Sequence, residues 1–269
     1  LLPFISIFGI DIPTYGLMLL TGAAVAWLLI FLLARKKQSD IEDVSMAFLI
    51  CICGGLVGAV SLRPLMKLVE VALAWERYKL LPAGEVLQYI IGEMVFYGGL
   101  LGGLCALIIY CRKYKIKIAP LIDLFIPAIA IAHAIGRIGC HLAGCCYGIV
   151  MPHGHPLAVV YPPNAIGAPS GIPLLSIPLI EAALLLLLST ILVVIYLKSK
   201  YIGTVATVYF LVYSTLRFFI EYFRGDLIRG KYGIFTTSQI ISIVMLVSGL
   251  VYYFGFCPRI NKREVSMAP

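Results

Sequence analysis

The sequence predicts an all-α polytopic membrane protein with about seven transmembrane helices. Three observations predict it. Hydrophobic residues fill 61% of the 269 positions and charged residues only 13%, too little polar surface to cover a soluble domain of this length. Seven apolar stretches, at about 15–34, 44–62, 89–111, 119–139, 174–197, 202–222 and 234–256, approach the roughly 20 residues that a spanning helix needs. Their apolar runs are continuous, whereas barrel strands would alternate. Because the connections are mostly short, residues 1–269 are read as a single transmembrane domain.

The first span is followed by Arg35, Lys36 and Lys37, and the third by Arg112, Lys113, Lys115 and Lys117. Lys198 and Lys200 follow the fifth, and Arg259, Lys262 and Arg263 follow the seventh. With alternating helices all of these lie on one side, which the positive-inside rule makes cytoplasmic. The N-terminus is then outside and the C-terminus inside. This distribution ascribes the net charge of +8 to topology, so no nucleic-acid partner is expected.

The outer connections, about 63–88, 140–173 and 224–233, form the expected substrate-facing side. In the first, Leu65, Leu68, Ala72 and Trp75 share a helical face, with Lys67, Glu70, Glu76 and Arg77 elsewhere. That pattern predicts a short amphipathic helix over 63–79, lying on the outer surface. The second holds six prolines between Pro152 and Pro173, which predicts an irregular, turn-rich lid or substrate-facing loop. Gly54, Gly55 and Gly58 in the second span, and Gly98, Gly99, Gly102 and Gly103 in the third, have the small-residue density that lets helix backbones approach closely. Gly98 and Gly99 lie near an outer helix start, where exposed backbone facing a ligand is the other reading.

Ionisable residues carry the functional signal. Arg217, Glu221 and Arg224 stand at i, i+4 and i+7, so one helix face is expected to carry all three. Charges at membrane depth are costly and usually face the bundle interior, where they pair or bind something. Arg137 is a third such arginine, between Gly136 and Gly139, whose backbone N–H groups could face a ligand. Three outer arginines against one glutamate predict a site hungry for negative charge. Guanidinium suits phosphate because it stays charged and offers a planar fork of donors. On an outer leaflet, the plentiful anions with apolar tails are phospholipids.

These residues resemble the prolipoprotein diacylglyceryl transferase family. The family's Gly-Arg-Ile-Gly-Asn-Phe-x-Asn-Gly-Glu run, ending in a glycine, is matched by Gly136, Arg137, Ile138, Gly139, Gly144 and Gly148. Its Arg-Phe-x-x-Glu-x-x-Arg segment is matched by Arg217, Phe218, Glu221 and Arg224, with Tyr213 upstream. Tyr15-Gly16-Leu17-Met18 and Phe96-Tyr97-Gly98-Gly99-Leu100 are similar to two further segments, and Asp123 has a counterpart. The resemblance implies transfer of the diacylglyceryl group from phosphatidylglycerol to the cysteine thiol of a lipoprotein precursor, at the outer face of the bacterial cytoplasmic membrane. It implies no cofactor and no metal. Arg137, Arg217, Tyr97 and Glu221 become the expected catalytic residues. Tyr15, Gly98, Gly99, Gly136, Gly139, Cys140, Cys145, Gly148, Tyr213 and Arg224 become the expected substrate-binding residues. Within this set Arg137 and Arg217 are assigned to the phosphate, with Glu221 and Arg224 holding them.

The sequence also departs from the family. Tyr97 replaces a histidine, and Cys140 and Cys145 replace the signature asparagine and glutamate. The family's His-Pro-x-Gln-Leu-Tyr-Glu segment is reduced to Ser176-Ile-Pro-Leu-Ile-Glu181. The base is therefore open among Tyr97, Glu93 and His141, and His133 reads as a core histidine. Cys140, Cys145 and Cys146 could be disulfide-bonded, metal-binding or a thiol relay. Other acceptors and a non-catalytic lipid-binding or transport role are the competing functions.

Overall fold

The computed structural model describes residues 1–7, 9–79, 81–91, 96–226 and 231–255. In chain order, the described helices are α1 (Thr14–Lys36), α2 (Ile41–Leu73), α3 (Trp75–Tyr78), α4 (Ala83–Ile91), α5 (Phe96–Lys113), α6 (Ile118–Ala143), α7 (Ile177–Lys198), α8 (Thr204–Ile220) and α9 (Thr237–Gly255). Three antiparallel ladders accompany them: β1 (Phe4–Ile7) with β2 (Ile10–Pro13), β3 (Ala158–Val160) with β4 (Pro173–Leu175), and β5 (Lys231–Tyr232) with β6 (Phe235–Thr236). Helices α1, α2, α6, α7 and α9 are long and apolar enough to cross a membrane. Large apolar side chains such as Leu20, Val57, Leu187 and Phe254 stand exposed along the helices, as lipid-facing surfaces require. This is an all-helical membrane protein. The two shorter predicted spans correspond to α5, with 18 residues, and α8, with 17.

The chain forms two compact units, Ala34–Ile118 and Leu1–Leu33 with Ala119–Pro269. The first is built on α2 and α5. Asp40 caps α2 by accepting the N–H groups of Glu42 at 2.9 Å and Asp43 at 3.2 Å, and both of these acidic residues suit the positive end of the helix dipole. The two helices run antiparallel with their backbones in contact. A Cβ on Gly58 would collide with the Gly98 carbonyl, one on Gly102 with the Gly54 carbonyl, and one on Gly98 with the Gly58 carbonyl. Close packing is thus what Gly98 and Gly102 do in this unit.

The predicted separate surface helix over 63–79 is not what forms. Helix α2 runs unbroken through Pro64 to Leu73, so its 33 residues extend about 50 Å at 1.5 Å each, well past a hydrocarbon core of about 30 Å. A surface helix and a spanning helix that projects beyond the membrane show the same 3.6-residue pattern, so the pattern could not separate them. The last turns of α2 carry a polar cluster. Lys67 Nζ pairs with Glu70 Oε2 at 2.6 Å and donates to the Tyr89 hydroxyl at 2.7 Å, which in turn donates to Glu70 Oε1 at 2.7 Å. This cluster ties α4 to the end of α2.

In the second unit, α1 packs on α6 and α7 on α8, with α9 against α8. Asp123, fully buried in α6, accepts the backbone N–H groups of Gly203 at 2.7 Å and Ala206 at 3.1 Å. A carboxylate from a neighbouring helix thereby satisfies the open N-terminus of α8 and favours its dipole. Gly203 holds φ +87°, a turn that other residues adopt at a cost.

Candidate functional site

Helix α6 stops in a Schellman motif. Gly144, at φ +73°, donates its N–H to His141 O at 3.2 Å, and Cys145 donates to Cys140 O at 3.0 Å. The chain then enters a three-strand arrangement that fixes the ends of three helices. Gly148 N–H bonds Leu175 O at 2.9 Å, Ile149 N–H bonds Phe223 O at 3.0 Å, and Gly225 N–H bonds Tyr147 O at 3.1 Å. Gly148 has no room for a side chain, because a Cβ would meet Ile177 and the Leu175 and Phe223 carbonyls. Glycine is needed there for packing. The expected lid is therefore pinned where it leaves α6 and where it enters α7. Tyr161, buried with Leu174 and Ala168, fills its interior.

Arg224 rides on this arrangement. Helix α8 ends at Ile220, a 3-10 turn covers Glu221–Phe223, and Arg224 is extended with ψ 138° as it bridges Gly148. The expected single helix face for Arg217, Glu221 and Arg224 therefore holds for the first pair only. Pairing with Gly148 draws Arg224 out of the helix.

The carboxylates differ from expectation too. Each arginine has its own. Arg217 Nη2 meets Glu221 Oε2 at 2.8 Å and donates to Ser238 Oγ at 3.0 Å. Arg224 makes a fork to Asp226, with Nε to Oδ1 at 2.8 Å and Nη2 to Oδ2 at 2.6 Å. Arg137 Nη2 lies 3.2 Å from Glu181 Oε1, while its Nε donates to His133 Nε2 at 3.3 Å. As an acceptor, that imidazole nitrogen is unprotonated, so His133 contributes no charge here, although it also lies 3.9 Å from Glu181. The expectation of three arginines against one glutamate is corrected to three against three. Glu221 serves Arg217 but Arg137 relies on Glu181, which is 1% exposed on α7.

Glu181, Asp226, Ser238 and His133 join the expected residues around the arginines. Glu181 carried a signal, an ionisable group in the second turn of an otherwise apolar helix. Asp226 follows Arg224 by two residues and was visible as a neighbour. Ser238 had no signal, because its contact with Arg217 depends on how α9 packs against α8.

The pairs leave several groups over. The Nη1 atoms of Arg217 and Arg224 and Oε2 of Glu181 are buried with no hydrogen-bond partner among the described residues. The Arg137–Glu181 contact has ion-pair distance without the angle of a hydrogen bond, since Oε1 also lacks such a partner. Buried ion pairs hold well only when their remaining donors and acceptors are satisfied, and here buried donors and buried acceptors are both left over. Tyr213 stacks on Tyr209 at 5.4 Å and meets His133 edge-on at 5.4 Å, within electrostatic range of Arg137 and Arg217. Beside α7 and α8 lies a cleft of about 450 Å³ lined by Leu175, Ile177, Ile180, Leu216, Phe219 and Phe223, among others.

Tyr15 packs on Gly139, and Gly136 approaches Leu19, so both glycines serve the α1–α6 contact with their N–H groups inside α6. His141 Nδ1 lies 2.9 Å from Ser176 Oγ, which fixes it to the start of α7. The sulfurs of Cys140, Cys145 and Cys146 lie within 4.8 Å of one another, and none is in a disulfide. Hydrogen bonds from Cys140 and Cys145, then the Arg224 charge, push the Cys146 thiol below the ordinary range. Interaction with the Cys140 and Cys146 thiols pushes the Cys145 thiol up. Burial opposes the Arg224 charge, but Asp226 and Cys146 outweigh it, so the group is held protonated. Tyr97, Gly98 and Gly99 belong to the other unit, at the start of α5, where Tyr97 is exposed. Glu93 lies outside the described residues.

A family profile described as prolipoprotein diacylglyceryl transferase matches residues 3–255. The chain is 30% identical over 248 residues to phosphatidylglycerol–prolipoprotein diacylglyceryl transferase 2 of Clostridium perfringens, covering 92% of each chain. It is 29% identical over 248 residues to the transferase of that name from Clostridium tetani, covering 92% of this chain and 94% of the relative. A Dehalococcoides mccartyi relative is 32% identical over 222 residues, covering 81% of this chain and 80% of its own.

Proposed function

The chain belongs to the prolipoprotein diacylglyceryl transferase family, and from that premise we propose that its arginine cluster carries the family's reaction. It moves the diacylglyceryl group of phosphatidylglycerol to the cysteine thiol of a lipoprotein precursor. The observation that carries the assignment is the pair of buried guanidiniums, Arg217 and Arg224, each keeping an Nη1 donor without a partner among the described residues. A phosphodiester supplies the acceptor oxygens those donors lack. The neighbouring apolar cleft suits an acyl chain.

Negative charge grows on the departing glycerol phosphate as the glyceryl carbon–oxygen bond breaks. Arginines already held by carboxylates stabilise that charge without reorganising, which is the main source of acceleration in reactions of this kind. Glu221 holds Arg217 and Asp226 holds Arg224, while Glu181 and His133 orient Arg137 toward the same region. Tyr213, Tyr15, Gly136, Gly139 and Gly148 shape the walls, and Cys140 and Cys145 face the acceptor. Tyr97 and Gly98–Gly99 take the place of the family's histidine segment. A phenol is a weak base at neutral pH, so Tyr97 needs a partner for the acceptor's proton.

The rest of the architecture completes this reading. One membrane domain of seven spans includes α5 and α8. The basic ends of α1, α5 and α7 face the cytoplasm, and the loops at about 63–88, 140–173 and 224–233 form the outer, substrate-facing side of a bacterial cytoplasmic membrane. Expression in a bacterium depleted of its own transferase tests the function. Restored growth and lipid-modified precursor are expected. Stable expression with precursor left unmodified would move the chain to another acceptor or to lipid binding.

A further inference from the structure

We propose that Cys140, Cys145 and Cys146 form a three-thiolate site for one divalent cation of the zinc class, whose fourth position takes the sulfur of the acceptor cysteine. The inference rests on the transferase reading above and deepens it by naming how the acceptor is activated.

The linear spacing of these cysteines matches no familiar zinc pattern, but the local fold explains how they converge. In a Schellman motif the second residue beyond the helix folds back over the last turn. Here that residue is Cys145, whose N–H bonds Cys140 O at 3.0 Å and whose Sγ reaches the same carbonyl at 3.6 Å. Cys146 follows at φ +57°, a left-handed value uncommon for a residue other than glycine. The turn brings its sulfur to the same cluster, so all three lie within 4.8 Å of one another. Thiolates bound tetrahedrally to zinc at about 2.3 Å stand about 3.8 Å apart, a spacing that small side-chain rotations reach from here.

The surroundings suit a metal with work to do. Three thiolates around a divalent cation leave one negative charge, and the Arg224 guanidinium, drawn to Gly148 two residues beyond Cys146, is the cation nearby in the fold. Cys140 is one helical turn from Arg137, so the cluster sits between two arginines of the proposed phosphate site. Three protein ligands with an open fourth position is the arrangement of a catalytic rather than a structural zinc. Coordination removes a thiol's proton outright. That meets the need created where Tyr97 replaces the family's histidine and where Cys140 and Cys145 replace its asparagine and glutamate.

The step balances. On binding, the acceptor thiol releases its proton to solvent. Its sulfur attacks the glyceryl carbon that bears the phosphate ester, the carbon–sulfur bond forms and the carbon–oxygen bond breaks. The electron pair leaves on the glycerol phosphate oxygen beside Arg217 and Arg224. Nothing is oxidised or reduced.

The test uses the full chain in lipid nanodiscs, reduced, loaded with zinc and desalted. About one zinc per chain is expected for the wild type and almost none for the Cys140→Ser/Cys145→Ser/Cys146→Ser variant. The cobalt-loaded wild type should show sulfur-to-cobalt charge-transfer and tetrahedral d–d bands, and these should shift when a peptide with one cysteine is added but not with its serine counterpart. The cobalt arm needs no variant, so a misfolded triple mutant does not shield the proposal. Equal zinc in both proteins, no zinc in the wild type, or a cobalt spectrum without thiolate bands would overturn it. Full glycerol phosphate release by the metal-free triple variant would overturn it while leaving the transferase reading intact. Zinc retained at the three cysteines without any phosphatidylglycerol cleavage would support the metal site and sink the transferase reading.

Discussion

The α2–α5 pair and the α6–α7–α8 cluster are both closely packed, but by opposite means. Between α2 and α5 the contact is backbone against backbone, with Gly54, Gly58, Gly98 and Gly102 stripped of side chains so that carbonyls touch the facing helix. In the α6–α7–α8 cluster, long charged side chains bring Glu181 to Arg137, Glu221 to Arg217 and Asp226 to Arg224. The first contact is explained by close backbone packing at these four glycines. The second leaves Arg217 Nη1, Arg224 Nη1 and Glu181 Oε2 without partners among the described residues. A fold needing only stability could have used apolar side chains of similar volume there at little or no loss. The difference teaches how one hydrophobic chain holds its helices together both by backbone contact and by buried charge.

Substitutions can break or sharpen that contrast, and the largest change in stability is expected at Glu181. Glu181→Ala strands the Arg137 charge in a buried site, which costs about 3–5 kcal/mol. Thermal unfolding in detergent should show a large loss, and Glu181→Gln a smaller one. If Glu181→Ala were as stable as the wild type, the charged cluster would not depend on pairing. Next comes Gly98→Val, which forces a side chain against the Gly58 carbonyl and should cost about 1–3 kcal/mol by overpacking. Its effect on donor cleavage per folded molecule, compared with that of Glu181→Ala, would show whether the α2–α5 contact is only structural. The smallest effect is expected from Asp123→Ala, which uncaps α8 and should cost about 1–2 kcal/mol. Hydrogen exchange in the first turn of α8 should rise while the Arg217 region keeps its protection.

Much of the membrane architecture was legible in the sequence. Continuous apolar runs of spanning length gave the cores of α1, α6, α7 and α9, and the glycine density marked α2 and α5. The i, i+4 spacing identified the Arg217–Glu221 pair. What escaped was decided by contacts distant in sequence. The end of α8 before Arg224 depends on a bridge to Gly148, and nothing within 217–224 breaks a helix. The projection of α2 to Leu73 escaped because amphipathic periodicity is the same on and off a membrane surface. Glu181 was visible as a charge in an apolar helix, but its pairing with Arg137 required the α6–α7 packing. The three cysteines looked ill-spaced until the Schellman turn brought Cys145 over Cys140.

The central claim is that the arginines stabilise the departing phosphate. The most direct test is the release of glycerol phosphate from head-group-labelled phosphatidylglycerol by purified wild type and Arg217→Ala, in the presence of a precursor peptide. Steady release by the wild type is expected, with a loss of at least about 100-fold in the folded variant, the scale seen when one charge-stabilising donor is removed. Release by Arg217→Ala within a few-fold of the wild type would contradict the account.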